Sequence, residues 1–487
     1  MRRLLTPAQM REMENAYMEQ TSTPSSALME RAAGELFSVL ADIYGTDRTV
    51  YFACGPGGNG GDGYACARMY AQAGGIAFAI ELSPAARGDA RLMRESAEAA
   101  GVTVTDDWRG LPAPDIWVDA LYGTGLSRPV TGEAADIIER MNTDSSDVVS
   151  VDIPSGLNAL DGKTLGTCVC ADITVTFQRA KTGHYLNDGL DMCGDILVRD
   201  IGIPESFVSP DAAMLVDYYD VKPAPRRRNS YKGDYGHLLI VAGSRGMAGA
   251  AAMCALAAMR SGAGLTTVAC PESILPVIQT LAPCAMCVPL AEENGAISEK
   301  ALPRLKEALR GKSCVAAGCG LSRGCAPAII EEILICGLPA VLDADALNII
   351  SERESLRALL GPRHVITPHP GEARRLLGRE LADPLTDARA LGEMGPQAVL
   401  KGASSVISAG GGLYISASGC PGMAKGGSGD VLTGMIGALM AQKLPPELAA
   451  YVGAELHGLA GEAAQEEFGE RGMLPTDMIE MITEVVF

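Results

Sequence analysis

No stretch of this 487-residue chain reaches the roughly 20 apolar residues of a membrane span, although 47% of it is hydrophobic. Nor does the start, Met1-Arg2-Arg3-Leu4-Leu5-Thr6-Pro7, hold an apolar run of signal-peptide length before Arg11, Glu12 and Glu14. The expected compartment is the cytoplasm. Positive charge is also short: 40 Lys and Arg stand against 59 Asp and Glu, for a net charge of -19. That balance argues against non-specific binding to nucleic acid or an anionic membrane, while leaving room for a local basic pocket that holds a nucleotide. Histidine is scarce, with five in all. The fourteen cysteines are dispersed in apolar contexts, and neither Cys284-x-x-Cys287 nor Cys168-x-Cys170 is joined by a second pair at zinc-site spacing. They read as reduced, largely buried thiols.

What the chain does have is length for two or three domains and a repeated alternation of β-rich runs with alanine-rich helical segments. Thr6-Pro7 predicts a helix start, with Met10, Met13 and Tyr17 at helical spacing behind it. Strands are expected at 49–54, 76–82, 115–120, 148–153 and 173–177, which together predict a parallel sheet covered by helices. Tyr218 to Asn229, with Lys222-Pro223-Ala224-Pro225 leading into Arg226-Arg227-Arg228, reads as an exposed connector. The pattern then restarts, with strands expected at 238–242, 265–270, 314–317, 340–343, 365–367, 399–401 and 406–408. Two α/β domains follow, over residues 1–220 and 226–487.

In the first, Cys54-Gly55-Pro56-Gly57-Gly58-Asn59-Gly60-Gly61-Asp62-Gly63 follows a predicted strand and precedes a helix expected over 64–73. It contains a formal G-x-G-x-x-G, with Glu81 about twenty residues on, as a dinucleotide-binding dehydrogenase requires. Pro56, Asn59 and Asp62 fit that fingerprint poorly. A nucleotide seat of backbone plus side chains is the better reading; a purely structural turn is the plainer one. Asp119 and Asp152 lie at two further strand ends, in Asp119-Ala120-Leu121-Tyr122-Gly123-Thr124-Gly125 and Asp152-Ile153-Pro154-Ser155-Gly156. Carboxyl ends of parallel strands surround the ligand crevice of open α/β sheets, so these loops are expected to converge. Asn59, Asp119 and Ser155 would offer hard oxygen ligands to a cation, leaving Asp152 for proton transfer. Either aspartate could instead be a loop cap.

In the second, Gly422-Met423-Ala424-Lys425-Gly426-Gly427-Ser428-Gly429-Asp430 runs into Val431-Leu432-Thr433. A small-residue loop at a helix start can face a phosphate with its N–H groups, and Asp430 would attach an acid/base group to that seat. His369 in Thr367-Pro368-His369-Pro370-Gly371-Glu372, the Leu342-Asp343-Ala344-Asp345 segment, and Lys401 in Leu400-Lys401-Gly402-Ala403-Ser404-Ser405 each follow a strand-like run. Lys401 could meet phosphate as a point charge, or be a solvated strand-end lysine.

Leu28-Met29-Glu30-Arg31-Ala32-Ala33-Gly34, the Gly57 to Gly63 and Asp119 to Gly125 loops and Val151 to Gly156 together resemble NAD(P)H-hydrate epimerases. That resemblance implies a Rossmann-like three-layer domain. It implies that Gly58, Asn59, Gly60, Gly61 and Asp62, with Gly123, Thr124, Gly125, Leu126, Ser127, Arg128 and Pro129, bind the damaged cofactor. It further implies that Asn59, Asp119 and Ser155 hold potassium and that Asp152 contacts substrate and transfers the proton. Gly58 stands where that family usually has asparagine.

The second-half segments are similar to ADP- or ATP-dependent NAD(P)H-hydrate dehydratases, which implies a ribokinase-like α/β fold. Ala250, Gly320, His369 and Asp430 then match positions that contact the hydrated cofactor, with Asp430 as the catalytic base. Lys401, Gly402, Ala403, Ser404 and Ser405, with Gly427, Ser428 and Gly429, match the nucleotide site. Cys319 replaces the usual proline, and Lys425 and Ser428 stand where threonine is commoner. The order of the two halves is that of bifunctional NAD(P)H-hydrate repair enzymes. Such an enzyme interconverts the R and S epimers of NADHX and NADPHX and dehydrates the S epimer. Bacterial relatives suggest ADP over ATP, carried with Mg2+ and yielding AMP and phosphate; a homo-oligomer is plausible. The alternatives are a vitamin-pathway kinase and a non-catalytic first module.

Overall fold

The computed structural model describes residues 1–82, 87–222 and 225–486. The chain divides into two compact units, one of Arg3–Ala213, the other of Met214–Phe487 with Met1–Arg2. Within the expected connector, Tyr218–Val221 is a short helix capped by Asp217, while Pro223 and Ala224 lie outside the described residues.

The first unit holds seven parallel strands in the spatial order Thr103–Thr105, Ile76–Glu81, Thr49–Cys54, Ile116–Ala120, Asp147–Val151, Ile173–Phe177, Asp195–Arg199. Their side chains alternate between two cores. Val50, Phe52 and Cys54 pack with Val118, Val149 and Val175 against Leu36, Leu40 and Ala65 of two helices, whereas Tyr51, Ala53 and Trp117 meet Ile137, Ile138 and Met141 of another. A period of two with both faces buried produces three layers. Strand order reverses between Thr49–Cys54 and Ile116–Ala120, which makes their carboxyl ends the crevice of this sheet. The predicted first helix is Pro7–Thr21, with Thr6 and Gln9 forming a capping box.

The glycine-rich segment expected to be a loop is instead helical from Gly58, six residues before the predicted start, in the helix Gly58–Gln72. Its glycines serve close packing. A Cβ on Gly60 would lie 1.8 Å from the Gly55 carbonyl oxygen, and one on Gly63 2.6 Å from the Ala120 Cβ.

In the second unit, strands Met286–Leu290, Leu265–Pro271, His237–Val241, Cys314–Ala317, Ala340–Leu342, His364–Ile366 and Gln397–Leu400 are neighbours in that order and parallel. Ser405–Ala409 and Gly412–Ser416 extend the sheet antiparallel. Leu238 and Ile240 pack under the helices Ala248–Arg260, Ser428–Ala441 and Pro446–Phe468 in one continuous core. Here the order reverses between His237–Val241 and Cys314–Ala317. The expected loop before Val431 is again shorter than predicted: the helix begins at Ser428, so Asp430 is its third residue.

Candidate active sites

In the first unit a pocket of about 510 Å³ opens at the strand-order reversal. Gly58, Asn59 and Asp62 line it from the helix Gly58–Gln72, Gly123, Thr124, Gly125, Leu126 and Arg128 from the loop after Ile116–Ala120, and Asp152 from the next strand end. Of the residues implied by the resemblance, Gly60 and Gly61 are buried in the helix packing instead, and Ser127 and Pro129 are not among the lining residues. No heavy atom lies within 4 Å of a Cβ built on Gly58, so its missing side chain leaves open space.

Asp119 is fully buried at the base of this region. Its Oδ2 accepts from the Ser155 N–H at 2.7 Å and the Ser150 hydroxyl at 2.8 Å, and its Oδ1 from the Ser155 hydroxyl at 2.5 Å and the Leu121 N–H at 3.3 Å. Burial pushes the carboxyl up, and the bonds from Ser155 and Ser150 oppose it. Asn59 Nδ2 is buried without a partner.

Asp152 is held on all sides. It adopts φ +67°, uncommon for a non-glycine residue, and its N–H donates to the Val175 carbonyl at 2.7 Å. The fully buried Lys181 ammonium donates to Asp152 Oδ1 and, at 2.8 Å, to the Thr176 hydroxyl, which in turn donates to the same Oδ1 at 3.1 Å. His184 Nδ1 accepts from the Lys181 N–H at 3.1 Å, which leaves the proton on Nε2 to donate to the Asp152 carbonyl at 3.0 Å. Burial, aided by Lys181, pushes that imidazole down to about 4, so it stays neutral. Strand-end reasoning stopped one strand short of Thr176, Lys181 and His184, which lie at or just beyond the end of Ile173–Phe177. Glu81, the acid of the dehydrogenase fingerprint, is spent on an ion pair with Arg94 at 3.0 Å.

In the second unit Gly427 takes φ +113°, where a Cβ would meet Met253 Cε at 2.8 Å. Glycine is required to start the helix there. Burial pushes the Asp430 carboxyl up to about 6; the Cys319 thiol and Lys401 ammonium oppose the rise, and the Asp343 and Asp345 carboxylates add to it. Cys319, the proline replacement, therefore bears on Asp430 directly. Lys401 is not a free point charge: its Nζ donates to Asp343 Oδ1 at 2.7 Å, and Thr433, one turn beyond Asp430, donates to Asp343 Oδ2 at 3.0 Å. A Cβ on Gly429 would lie 3.3 Å from Lys401 Nζ, and one on Gly320 2.9 Å from the Ala250 Cβ, which ties these positions into one neighbourhood. Gly402, Ala403 and Ser404 form the turn into the strand Ser405–Ala409.

His369 is a helix N-cap as well as a site candidate. Its Nδ1 accepts from the Gly371 N–H at 3.0 Å and its own N–H donates to Glu372 at 2.9 Å. Lys425 is half-buried, and its ammonium donates to the Arg471 carbonyl at 2.8 Å and to that of Met473. Ser428 donates to the Met423 carbonyl at 2.7 Å, and the half-buried His457, whose imidazole desolvation pushes down to about 4, bonds the Ser428 carbonyl at 2.9 Å. The turn before Asp430 is thus braced from several sides. All fourteen cysteines are free, and no described helix is long and apolar enough to cross a membrane.

Two α/β units, each gathering carboxylates and a lysine at or beyond the carboxyl ends of its parallel strands, define a two-site enzyme of small ligands. Residues 25–183 match the family described as YjeF-related protein N-terminus, and residues 238–484 the one described as NAD(P)H-hydrate dehydratase. The bifunctional NAD(P)H-hydrate repair enzyme of Moorella thermoacetica is 36% identical, over 99% of this chain and 96% of its own. That of Coxiella burnetii is 36% identical over 96% of each. A crystal structure of the ADP/ATP-dependent NAD(P)H-hydrate dehydratase of Bacillus subtilis is 27% identical with a TM-score of 0.49, covering 56% of this chain and 97% of that one. The chain belongs to the bifunctional NAD(P)H-hydrate repair enzymes.

Proposed function

We propose that the first unit interconverts the R and S epimers of NADHX and NADPHX, and that the second dehydrates the S epimer to NAD(P)H with conversion of ADP, or ATP, to its lower nucleotide and phosphate. The observation that carries the first half is Asp152, fixed by Lys181, Thr176 and His184 and opening on the pocket. The hydrate bears its hydroxyl on the ring carbon beside nitrogen, so loss and return of that hydroxyl is an accessible route to inversion, with Asp152 as a proton-transfer group. Asn59, Asp119 and Ser155 would hold potassium. Their hard oxygens suit such a cation, and the buried, unpartnered Asn59 Nδ2 shows that the hydrogen-bonding capacity of that amide is not met within the protein. The ion would supply fixed positive charge at the base of the pocket.

In the second unit hydroxyl is a poor leaving group until it is phosphorylated. Asp430 takes the hydroxyl proton, and the N–H groups of Gly427, Ser428 and Gly429 receive the charge of the transferring phosphoryl group. Lys401, seated on Asp343, supports the same charge. Magnesium commonly binds through phosphates and waters, and would come in with the nucleotide.

The test follows the near-ultraviolet absorbance of reduced nicotinamide in an epimeric NADHX mixture with ADP, ATP or neither. Full conversion with release of phosphate supports the reading; accumulation of a phosphorylated product would point to a kinase. Asp152→Ala should leave direct use of the S epimer intact and hold use of the R epimer to its spontaneous rate. Wild-type-like use of both epimers by that variant would remove Asp152 from the mechanism.

A further inference from the structure

The helix Pro7–Thr21 turns Met10, Glu14 and Met18, each four residues apart, onto the pocket that holds Asp152. Methionines suit an apolar wall. A half-buried glutamate between them does not follow from packing, because carboxylates are rarely taken out of water without a partner. Besides burial, the charges acting on Glu14 are Lys181, Asp152 and the exposed Arg11. Lys181 is already bonded to Asp152 and Thr176. Asp62, from the helix Gly58–Gln72, feels Asp152, Glu14 and Lys181 in turn.

Three carboxyls from three elements, Glu14, Asp62 and Asp152, therefore line one pocket, and Asp152 is bonded to the buried Lys181 ammonium. Burial, with Asp152 and Glu14 adding to it, pushes the Asp62 carboxyl well above its ordinary range, and burial raises that of Glu14.

Inversion at one carbon needs a proton donor where hydroxyl departs and an acceptor where water returns, on opposite faces of the ring. A single carboxyl cannot serve both faces without the substrate turning over. Glu14 reaches the pocket from the helical wall, Asp152 from the sheet. We propose that Glu14 is the second proton-transfer group of the epimerisation, paired with Asp152 across the bound ring. This rests on the epimerase reading above.

One carboxyl donates its proton to the hydroxyl as the carbon–oxygen bond breaks, releasing water, while the ring nitrogen supplies an electron pair to that carbon. Water then adds to the other face and yields a proton to the other carboxylate as the nitrogen regains its pair. The two carboxyls exchange protonation states, and the reverse passage or solvent restores them. No oxidant or reductant is involved.

The test uses the full-length protein, pure (R)-NADHX and water enriched in heavy oxygen, with Glu14→Gln and Glu14→Asp beside the wild type. Glu14→Gln is expected to slow inversion by about 10² to 10⁴ in kcat with little change in KM. Label should still enter the unreacted R epimer, because Asp152 alone can release and return oxygen on one face. Glu14→Asp should restore part of the inversion, and retained label exchange together with a wild-type melting profile reports an intact first unit, while dehydration of (S)-NADHX by the second unit should match the wild type. Inversion by Glu14→Gln at the wild-type rate overturns the proposal. So does joint loss of inversion and label exchange with a raised KM that Glu14→Asp fails to rescue, the mark of a mere wall residue. A wild-type protein that fails to invert the R epimer faster than buffer would instead sink the epimerase reading itself.

Discussion

Replacing Asp430 with Asn should abolish dehydration and at the same time stabilise the protein, but only above acidic pH. The carboxyl moves from 3.8 to about 6, chiefly through burial. A carboxyl whose folded value lies above its unfolded value is bound more tightly to its proton in the native state, so native stability falls as pH rises from 3.8 and the full penalty stands above 6. At 1.36 kcal/mol per pH unit the shift corresponds to about 3 kcal/mol. Asp430→Asn removes that penalty while keeping the shape of the side chain. The variant and wild type should therefore melt alike near pH 4 and diverge by up to that amount at pH 7 to 8, as read by parallel denaturation series.

Catalysis gives the complementary profile. If the carboxylate takes the hydroxyl proton, the rate follows the ionised fraction and rises about tenfold between pH 5 and pH 7. Because Lys401 lowers Asp430 and Asp343 raises it, Lys401→Met should move that limb to higher pH and Asp343→Asn to lower pH. The assay is the initial rate on (S)-NADHX with saturating ADP. Equal destabilisation of Asp430→Asn at every pH, or a limb that neither neighbour moves, would refute the assignment of a buried, charge-coupled base.

Two further outcomes follow from local geometry. Gly60→Ala should destabilise the first unit by about 1 to 3 kcal/mol or more, since its Cβ would fall 1.8 Å from the Gly55 carbonyl oxygen; unchanged melting would mean the turn is not packed as described. Gly58→Asn, with open space around the new side chain, should keep stability and lower KM for the R epimer by about 2- to 10-fold, as one added hydrogen bond allows; a raised KM would show that Gly58 is needed for access.

Several elements were legible because their signals are local. Thr6-Pro7, the strand at Thr49–Cys54 and the carboxylates at strand ends rest on backbone chemistry within a few residues. The two glycine-rich segments were misjudged as loops for the opposite reason. Nothing within a segment such as Gly58 to Gly63 reveals that a strand and a neighbouring helix press on it, and that glycine there permits close contact rather than freedom.

By itself the sequence determined two α/β units, the strand-end carboxylates Asp119 and Asp152, the glycine-rich segment that ends in Asp430, and the likeness to epimerase and dehydratase. Only the tertiary structure decided what surrounds them. Lys181 comes to Asp152 across 29 residues, Asp343 to Lys401 across 58, and Glu14 to the same pocket from a helix far earlier in the chain. The charge state of a carboxyl depends on its burial and on such distant neighbours, which no local pattern records.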